Sequence, residues 1–407
     1  MMLRYNKIKN NRLVKNFVSL LILQGSNYLL PLITLPYLFK VLGADKFGLL
    51  AFASAVVLFL QVFVDYGFNL SGTREISVHS HNRAKLIEIF SSIMTIKAIL
   101  LLFSFVLLTL LILFFEKFKS DFLIFYITFG IVVGEALFPR WFFQGMEEMK
   151  YITYINVSIK IFFTICIFIF VQESNDYYMV PLLNSIGFII AGLFSLILIK
   201  NIFDIHFQIQ KKSIIIRYLK ESWNIFLTEL MPNLYNNFST LLLGFVTSME
   251  NVGYYSLATR IIGIFNGLLQ IIKTVTFPYL NKDFSKFKII AKIMIGSGFL
   301  LSVLIFSLAS LVVPYIFGNS AVQSVTLIYI LALSPLFASM LYTFGTNKLL
   351  ILKRDREFKN ITFVYSLFGF SSAIIFVPMF GIYGAAFTLI ITRALMAYLT
   401  YIRAKDI

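Results

Sequence analysis

Long apolar runs, separated by short polar stretches, organise the chain. Each run holds about 20 residues or more, the length a helix needs to cross a hydrocarbon core about 30 Å thick. The pattern predicts helices near 16–39, 47–68, 86–115, 122–143, 151–171, 178–200, 223–247, 254–280, 288–313, 323–346, 359–380 and 383–402. The connections are short, and the longest, at about 201–222, falls between the sixth and seventh helices. Nothing resembles the alternating strands of about ten residues that build an outer-membrane barrel. The expected fold is all-α and polytopic, with about twelve transmembrane helices in two bundles of six.

The expected division is an N-terminal bundle over 1–205, a cytoplasmic connecting segment over 206–222 and a C-terminal bundle over 223–407. Setting VLGADKFGLLAFAS (41–54) against VTSMENVGYYSLAT (246–259) pairs Val41 with Val246, Asp45 with Glu250, Gly48 with Gly253 and Ala53 with Ala258. The likeness is faint, but both segments join the first two helices of their half. Parallel repeats of this kind place a substrate path between the halves and work by alternating access.

Composition agrees with a membrane solvent. Of 407 residues, 59% are hydrophobic and 13% charged, whereas soluble domains carry roughly 25% charge. The first apolar run is too long for a secretory signal and no small-residue cleavage site follows it, so it is expected to be retained. The single cysteine, Cys166, lies inside an apolar run and excludes a disulfide framework. His79 and His81 share one loop and His206 lies in another, so neither a metal site nor a cofactor is expected. No G-x-x-x-x-G-K-[ST] loop occurs, which argues against an ATP-driven pump in this chain. The loop after the second helix lacks the G-x-x-x-D-R-x-G pattern of a major-facilitator transporter.

The net charge of +16 could suggest nucleic acid, but its distribution argues otherwise. The N-terminal tail (Arg4, Lys7, Lys9, Arg12, Lys15), alternate loops and the C-terminal tail hold 24 of the 35 basic residues. The opposite loops hold only Lys40, Lys46, Lys117 and Lys119. This is the positive-inside bias, and it places both termini in the cytoplasm. Charges dispersed over seven segments do not make a nucleic-acid patch.

Seven basic residues remain at membrane depth: Lys97, Arg140, Lys160, Arg260, Lys273, Lys292 and Arg393. Acidic residues within or at the rim of spans are Asp65, Glu88, Glu135 and Glu229. A charge there costs at least about 2.5–3.5 kcal/mol on insertion scales, so each needs a partner, a wet cavity or a route to the interface. Arg140, Lys292 and Glu88 lie about one turn from a helix end, where the basic pair can snorkel. Lys97, Lys160 and Arg393 fall nearer mid-span, where a hydrated interior and a structural ion pair are both open. Together with Arg260, Lys273 and Arg140 they are the candidates for a cationic substrate path, suited to an anionic head group. Glu135, Glu229 and Asp65 are candidates for proton or ion coupling, or serve only to neutralise nearby cations. Helix seven carries Thr228, Glu229, Asn233, Tyr235, Asn236, Asn237, Ser239 and Thr240, too many to face lipid, and is expected to line a cavity. Pro31, Pro36, Pro139, Pro232, Pro278 and Pro335 interrupt spans as hinges or as ordinary kinks.

Three segments together resemble the O-antigen flippase (polysaccharide exporter) family of the MOP superfamily. They are LPYLFKVLGADKFGLLAFA (35–53), DYGFNLSGTREIS (65–77) and FPRWFFQGMEEMKYI (138–152). The resemblance implies translocation of an undecaprenyl-pyrophosphate-linked oligosaccharide across the bacterial inner membrane, ion-gradient coupling and no enzymatic activity. It implies membrane lipids and other polysaccharide-assembly membrane proteins as partners. No functional residue transfers by motif. The alternatives are a multidrug or cation antiporter of the same superfamily, a peptidoglycan-precursor flippase and a membrane glycosyltransferase. Asp65 and Arg74, flanking the Gly67 and Gly72 breakers, read either as a rim ion pair or as part of an inner gate.

Overall fold

The computed structural model describes the backbone of residues 2–405 and the side chains of residues 19, 22–27 and 29–405. The basic side chains of the N-terminal tail, Arg4 to Lys15, lie outside the described residues. The helices run in order as α1 (Met2–Asp65), α2 (Phe68–Val78), α3 (Arg83–Phe114), α4 (Glu116–Lys119), α5 (Phe122–Leu137), α6 (Arg140–Gly145), α7 (Met149–Phe170) and α8 (Met179–Phe203). They continue as α9 (Lys212–Asn236), α10 (Phe238–Val246), α11 (Met249–Lys282), α12 (Phe287–Phe317), α13 (Val322–Leu331), α14 (Ser334–Met340), a π-helical stretch over Leu341–Leu350, and α15 (Asp355–Lys405). No strand occurs among the described residues. Nine segments among them are long and apolar enough to cross a membrane. The chain is a multi-pass, all-helical membrane protein.

Two of the long helices are broken by glycine. In α1 the break is Gly43, with φ 72° and ψ 170°. In α15 it is Gly381, with φ 56° and ψ −133°. Both lie at positive φ, which glycine enters without a Cβ clash. Each falls between two spans that the apolar pattern separates, first from second and eleventh from twelfth.

Elsewhere the breaks differ from expectation, for local reasons. The helix expected over 122–143 ends at Leu137, because the residue before Pro139 is pushed to extended backbone; Phe138 has φ −96° and ψ 95°. The helix expected over 223–247 starts earlier, at Lys212, and breaks at Asn237. The one expected over 323–346 is three pieces, α13, α14 and the π-helical stretch. The loop expected after the second span holds α2.

The chain forms two compact units. The first holds residues up to Thr34 together with Val56–Leu230; the second holds Leu35–Ala55 together with Met231 onward. In the first, α2 packs on α6. Thr73 Oγ1 donates to Gln144 Oε1 at 3.1 Å, and Trp141, Phe142 and Phe143 are fully buried beside Ile76. The D-Y-G-F…T-R and P-R-W-F-F-Q-G segments are thus two faces of one packing contact. The connecting segment is tied to the same unit. Arg83 pairs with Asp204 at 2.5 Å, Glu88 accepts from Arg217 at 2.7 Å and from the Tyr218 hydroxyl at 3.1 Å, and Ser71 bonds Ser222 at 2.8 Å. Burial, and then the Glu88 carboxylate, push the Tyr218 phenol above its usual range, so it stays a donor.

In the second unit, residues 35–55 pack against α10 and α11. A Cβ on Gly48 would lie 1.7 Å from the Met249 carbonyl oxygen and 2.7 Å from the Gly253 nitrogen. A Cβ on Gly253 would lie 2.0 Å from the Ala44 carbonyl oxygen. The two glycines that the sequence sets opposite each other meet here, backbone on backbone. Phe52 and Phe245 close the contact edge to face, with ring centroids 5.6 Å apart.

Gly48→Ala and Gly253→Ala should each destabilise the protein by about 1–3 kcal/mol through overpacking. Gly263→Ala, where a Cβ meets nothing within 4 Å, should be neutral or gain about 0.5–1 kcal/mol from helix propensity. Thermal unfolding of the detergent-purified variants checks the contrast; equal loss in all three would refute it.

Candidate functional site

Three charges at membrane depth in the first unit, Lys97, Asp65 and Glu135, are compensated. Lys97, on α3 and 1% exposed, donates from Nζ to Asp65 Oδ1 at 2.8 Å and to the Glu135 backbone oxygen at 3.4 Å. That carbonyl is available for a reason. Its helical donor would be residue 139, a proline without an N–H. The same break turns Arg140 back onto the Glu135 carboxylate, with which it pairs, and sets its guanidinium 5.4 Å from the Phe138 ring centroid. Glu229 lies within electrostatic range of Asp65 and Lys97. Lys97 therefore has the structural ion pair and not the hydrated wall. Of the two readings of Asp65 and Arg74, the rim ion pair is not formed: Asp65 is held by Lys97, and Arg74, 58% exposed, leans on Glu75. Asp65 is the last residue of α1, and its side chain points to α3.

Lys160 is placed differently. It bonds the Asn27 side-chain oxygen and lines a cavity of about 150 Å³ with Asn156, Asn184, Thr34, Thr164 and Phe163. No carboxylate lines it. The sequence reading singled out Lys160 and missed the amides. A signal existed: Asn156, Lys160 and Thr164 recur every four residues, one face of a helix.

In the second unit two guanidiniums share one cavity. A cavity of about 210 Å³ is lined by Arg260 and Arg393, with Asn236, Asn237, Thr240 and Thr259. Leu331 and Leu389 help to form its apolar side, and no carboxylate lines it. Arg393 donates to the Ser334 hydroxyl and, from Nη2, to Asn236 Oδ1 at 2.9 Å. Asn236 is aimed by its own bond to the Pro232 carbonyl, at 2.9 Å. Arg260 stacks 5.0 Å from the Phe47 ring centroid. Each guanidinium is thus oriented by neutral groups or a ring face, and keeps donors for something else. Helix-seven amides form part of the wall, as its polarity predicts. Lys273 does not join them; it sits 4.8 Å from the Tyr342 ring centroid. Lys292 is exposed.

A family model described as "Polysaccharide biosynthesis protein" matches residues 13–284. The chain belongs to that family. Two similar proteins carry the name "Putative O-antigen transporter". That of Escherichia coli (strain K12) is 28% identical over 393 residues, 95% of each chain. That of Shigella dysenteriae is 32% identical over 269 residues, 66% of this chain and 67% of its own. Among solved structures, "Lipid II flippase MurJ, inward closed conformation" aligns with a TM-score of 0.74 at 14% identity, covering 96% of this chain and 87% of that one. An inward-facing multidrug resistance MATE transporter of the MOP superfamily aligns with a TM-score of 0.65 at 14% identity, covering 93% and 94%. These last two establish a shared fold. The family membership read from the three motif segments is borne out.

In this polysaccharide biosynthesis protein cations at membrane depth are held in two ways, Lys97 and Arg140 by carboxylates and Lys160, Arg260 and Arg393 by neutral groups or a ring face. Lys97→Met should therefore destabilise the fold, since an unpaired buried partner costs about 3–5 kcal/mol. Asp65→Leu together with Lys97→Met should recover most of that loss. Melting of the purified single and double variants decides it; a double variant as unstable as the sum of the singles would remove the pair from the account.

Proposed function

We propose that the protein is a flippase for an undecaprenyl-pyrophosphate-linked oligosaccharide, a surface-polysaccharide repeat unit, in the bacterial inner membrane. One observation carries the reading: Arg260 and Arg393 face a common cavity that no carboxylate lines. A guanidinium offers five N–H donors in a rigid fork that matches phosphate oxygens bidentately. The amides and hydroxyls around it suit further phosphate or sugar oxygens. An organic-cation antiporter needs the opposite sign in its cavity, so the lining favours an anion. The O-antigen transporter names of the relatives and the lipid II flippase among the similar folds support the same substrate class. The protein then moves its substrate without making or breaking its bonds.

The reading includes twelve crossings. Nine apolar segments become eleven when α1 and α15 are counted as two each at their glycine breaks, and α9 with α10 supplies the twelfth. Basic loops on one side place both termini in the cytoplasm. The two six-helix halves, 1–205 and 223–407, would work by alternating access. On this reading Asp65, Glu135 and Glu229 respond to an ion gradient, Asp65 and Glu135 through their pairs with Lys97 and Arg140.

The test is complementation of a deletion strain that makes one known surface glycan. Arg393→Ala and Arg260→Ala should each cut surface polymer about 10–100-fold, the loss of a charged hydrogen bond, while lipid-linked units accumulate on the cytoplasmic face. Arg393→Lys should retain part of the export, a point charge replacing a fork. Normal glycan in both alanine variants, or normal glycan with altered drug resistance in the deletion, would refute the reading.

A further inference from the structure

Large apolar side chains are exposed along the spans, as lipid contact allows. Phe207, Ile209, Ile216 and Trp223 are exposed too, to 54%, 93%, 38% and 48%, but none of them lies in an apolar crossing segment. The preceding one ends at Phe203 and the next starts at Met249. Ile209 is the most exposed large apolar side chain among the described residues. Its neighbours are basic. Lys211, Lys212 and Lys220 are exposed and enter no ion pair among the described residues. Helical spacing gathers these groups on α9: at 100° per residue, Lys212, Ile216, Lys220 and Trp223 fall within about 80° of one another. Tyr218, Ser222 and Phe226 form a separate, buried stripe. The nearby acids are engaged or turned aside. Asp204 is held by Arg83 and Glu88 by Lys85 and Arg217, and Glu221 lies about 100° round the helix from Lys220.

The packing also sets their level. Gln208 donates from its backbone N–H to Ser91 Oγ at 3.0 Å, while Asp204 is tied to Arg83 and Tyr218 to Glu88. All three anchors belong to α3, whose 32 residues extend about 48 Å, roughly 18 Å more than the hydrocarbon core. Centred on the bilayer, α3 overhangs that core by about 9 Å at each end. Ser91 stands about 12 Å from the first residue of the helix. The segment 204–218 therefore runs beside the boundary between head groups and hydrocarbon, and its exposed apolar side chains meet that boundary.

We infer that the connecting segment is an interfacial binding site for anionic phospholipid, with Phe207, Ile209, Ile216 and Trp223 at the acyl boundary and Lys211, Lys212 and Lys220 on head-group phosphates. An amphipathic segment binds an interface through its buried apolar area together with attraction to anionic lipid, and this one carries both terms. The indole of Trp223 is suited to that level, where tryptophan concentrates in membrane proteins. Each lysine near an anionic surface adds to the attraction. A soluble protein partner would need the same side chains out in water, whereas the bond to Ser91 holds the segment against a crossing helix. The site lies in the first unit and is independent of the transported substrate.

Trp223 is its own probe. The other tryptophan, Trp141, is fully buried, and a Trp223→Phe variant measures its share of the fluorescence. The full chain is placed in nanodiscs of phosphatidylcholine with a minor share of phosphatidylglycerol, one lipid or the other carrying brominated acyl chains. Brominated phosphatidylglycerol should quench Trp223 at least about threefold more, mole for mole, than brominated phosphatidylcholine. Lys211→Gln, Lys212→Gln and Lys220→Gln together should bring the two lipids to parity, as should high salt. Lys282→Gln, Lys286→Gln and Lys288→Gln remove the same charge from a basic stretch of the second unit and should leave the ratio unchanged. All six lysines are exposed, so folding is not at stake in either variant. Equal quenching by the two lipids in the wild type would overturn the anionic site. A ratio lost equally in both triple variants would overturn it as well, reducing it to net charge. Trp223 unquenched by either lipid and open to aqueous iodide would overturn the interfacial placement and leave the surface to a soluble partner.

Discussion

The cost of holding charge in hydrocarbon governs this molecule. A charged group at bilayer depth is tolerated when it finds an opposite charge, a set of polar neighbours or water. The first unit uses opposite charge for Lys97 and Arg140 and a neutral amide for Lys160. Lys97 is closed onto Asp65, and Glu135 onto Arg140. The second unit uses neutral dipoles and space, with Arg393 on Ser334 and Asn236, and Arg260 on a phenyl face. The difference has a chemical consequence. A closed pair presents no net charge to a ligand, whereas a cation held by neutral groups still attracts one. The proline at 139 contributes to the first arrangement twice, by freeing the Glu135 carbonyl for Lys97 and by turning Arg140 back.

Much of this was visible in the chain. Apolar run length located the helices, because the bilayer imposes one length scale on all of them. The break at Gly43 and the one at Gly381 fall where two apolar runs meet. The interruption around Ala332 had a signal in Pro335, which stands at the start of α14; the one at Asn237 had none of its own, since Pro232 lies more than a turn earlier, inside α9. The π-helical stretch 341–350 has the composition of an ordinary helix. Among site residues, burial arguments singled out Lys160 and Arg393 and left Arg260 open; all three line cavities. They could not pair Lys97 with Asp65, which lies 32 residues away; sequence proximity suggested Arg74 instead, and proximity along a chain says little when α2 carries that arginine to the surface. Ser334 and Asn27, the partners of Arg393 and Lys160, had no signal of their own, since a serine or an asparagine in a span satisfies its own helix as readily as a neighbour.

The motif segments gain a physical meaning. Trp141 and Phe142 are fully buried, and Gln144 meets Thr73 from the other segment. These residues build α2 against α6. The polar residues that line the two cavities lie on α1, α7, α8, α9, α10, α11 and α15.

The meeting of Gly48 and Gly253 bears on why the likeness between the two halves is so faint. Backbone against backbone, that contact fixes two positions and asks nothing of the side chains beside them. A contact of this kind forbids a Cβ at either glycine and sets no demand on side-chain identity elsewhere, so a faint likeness between the two segments is no obstacle to their packing together.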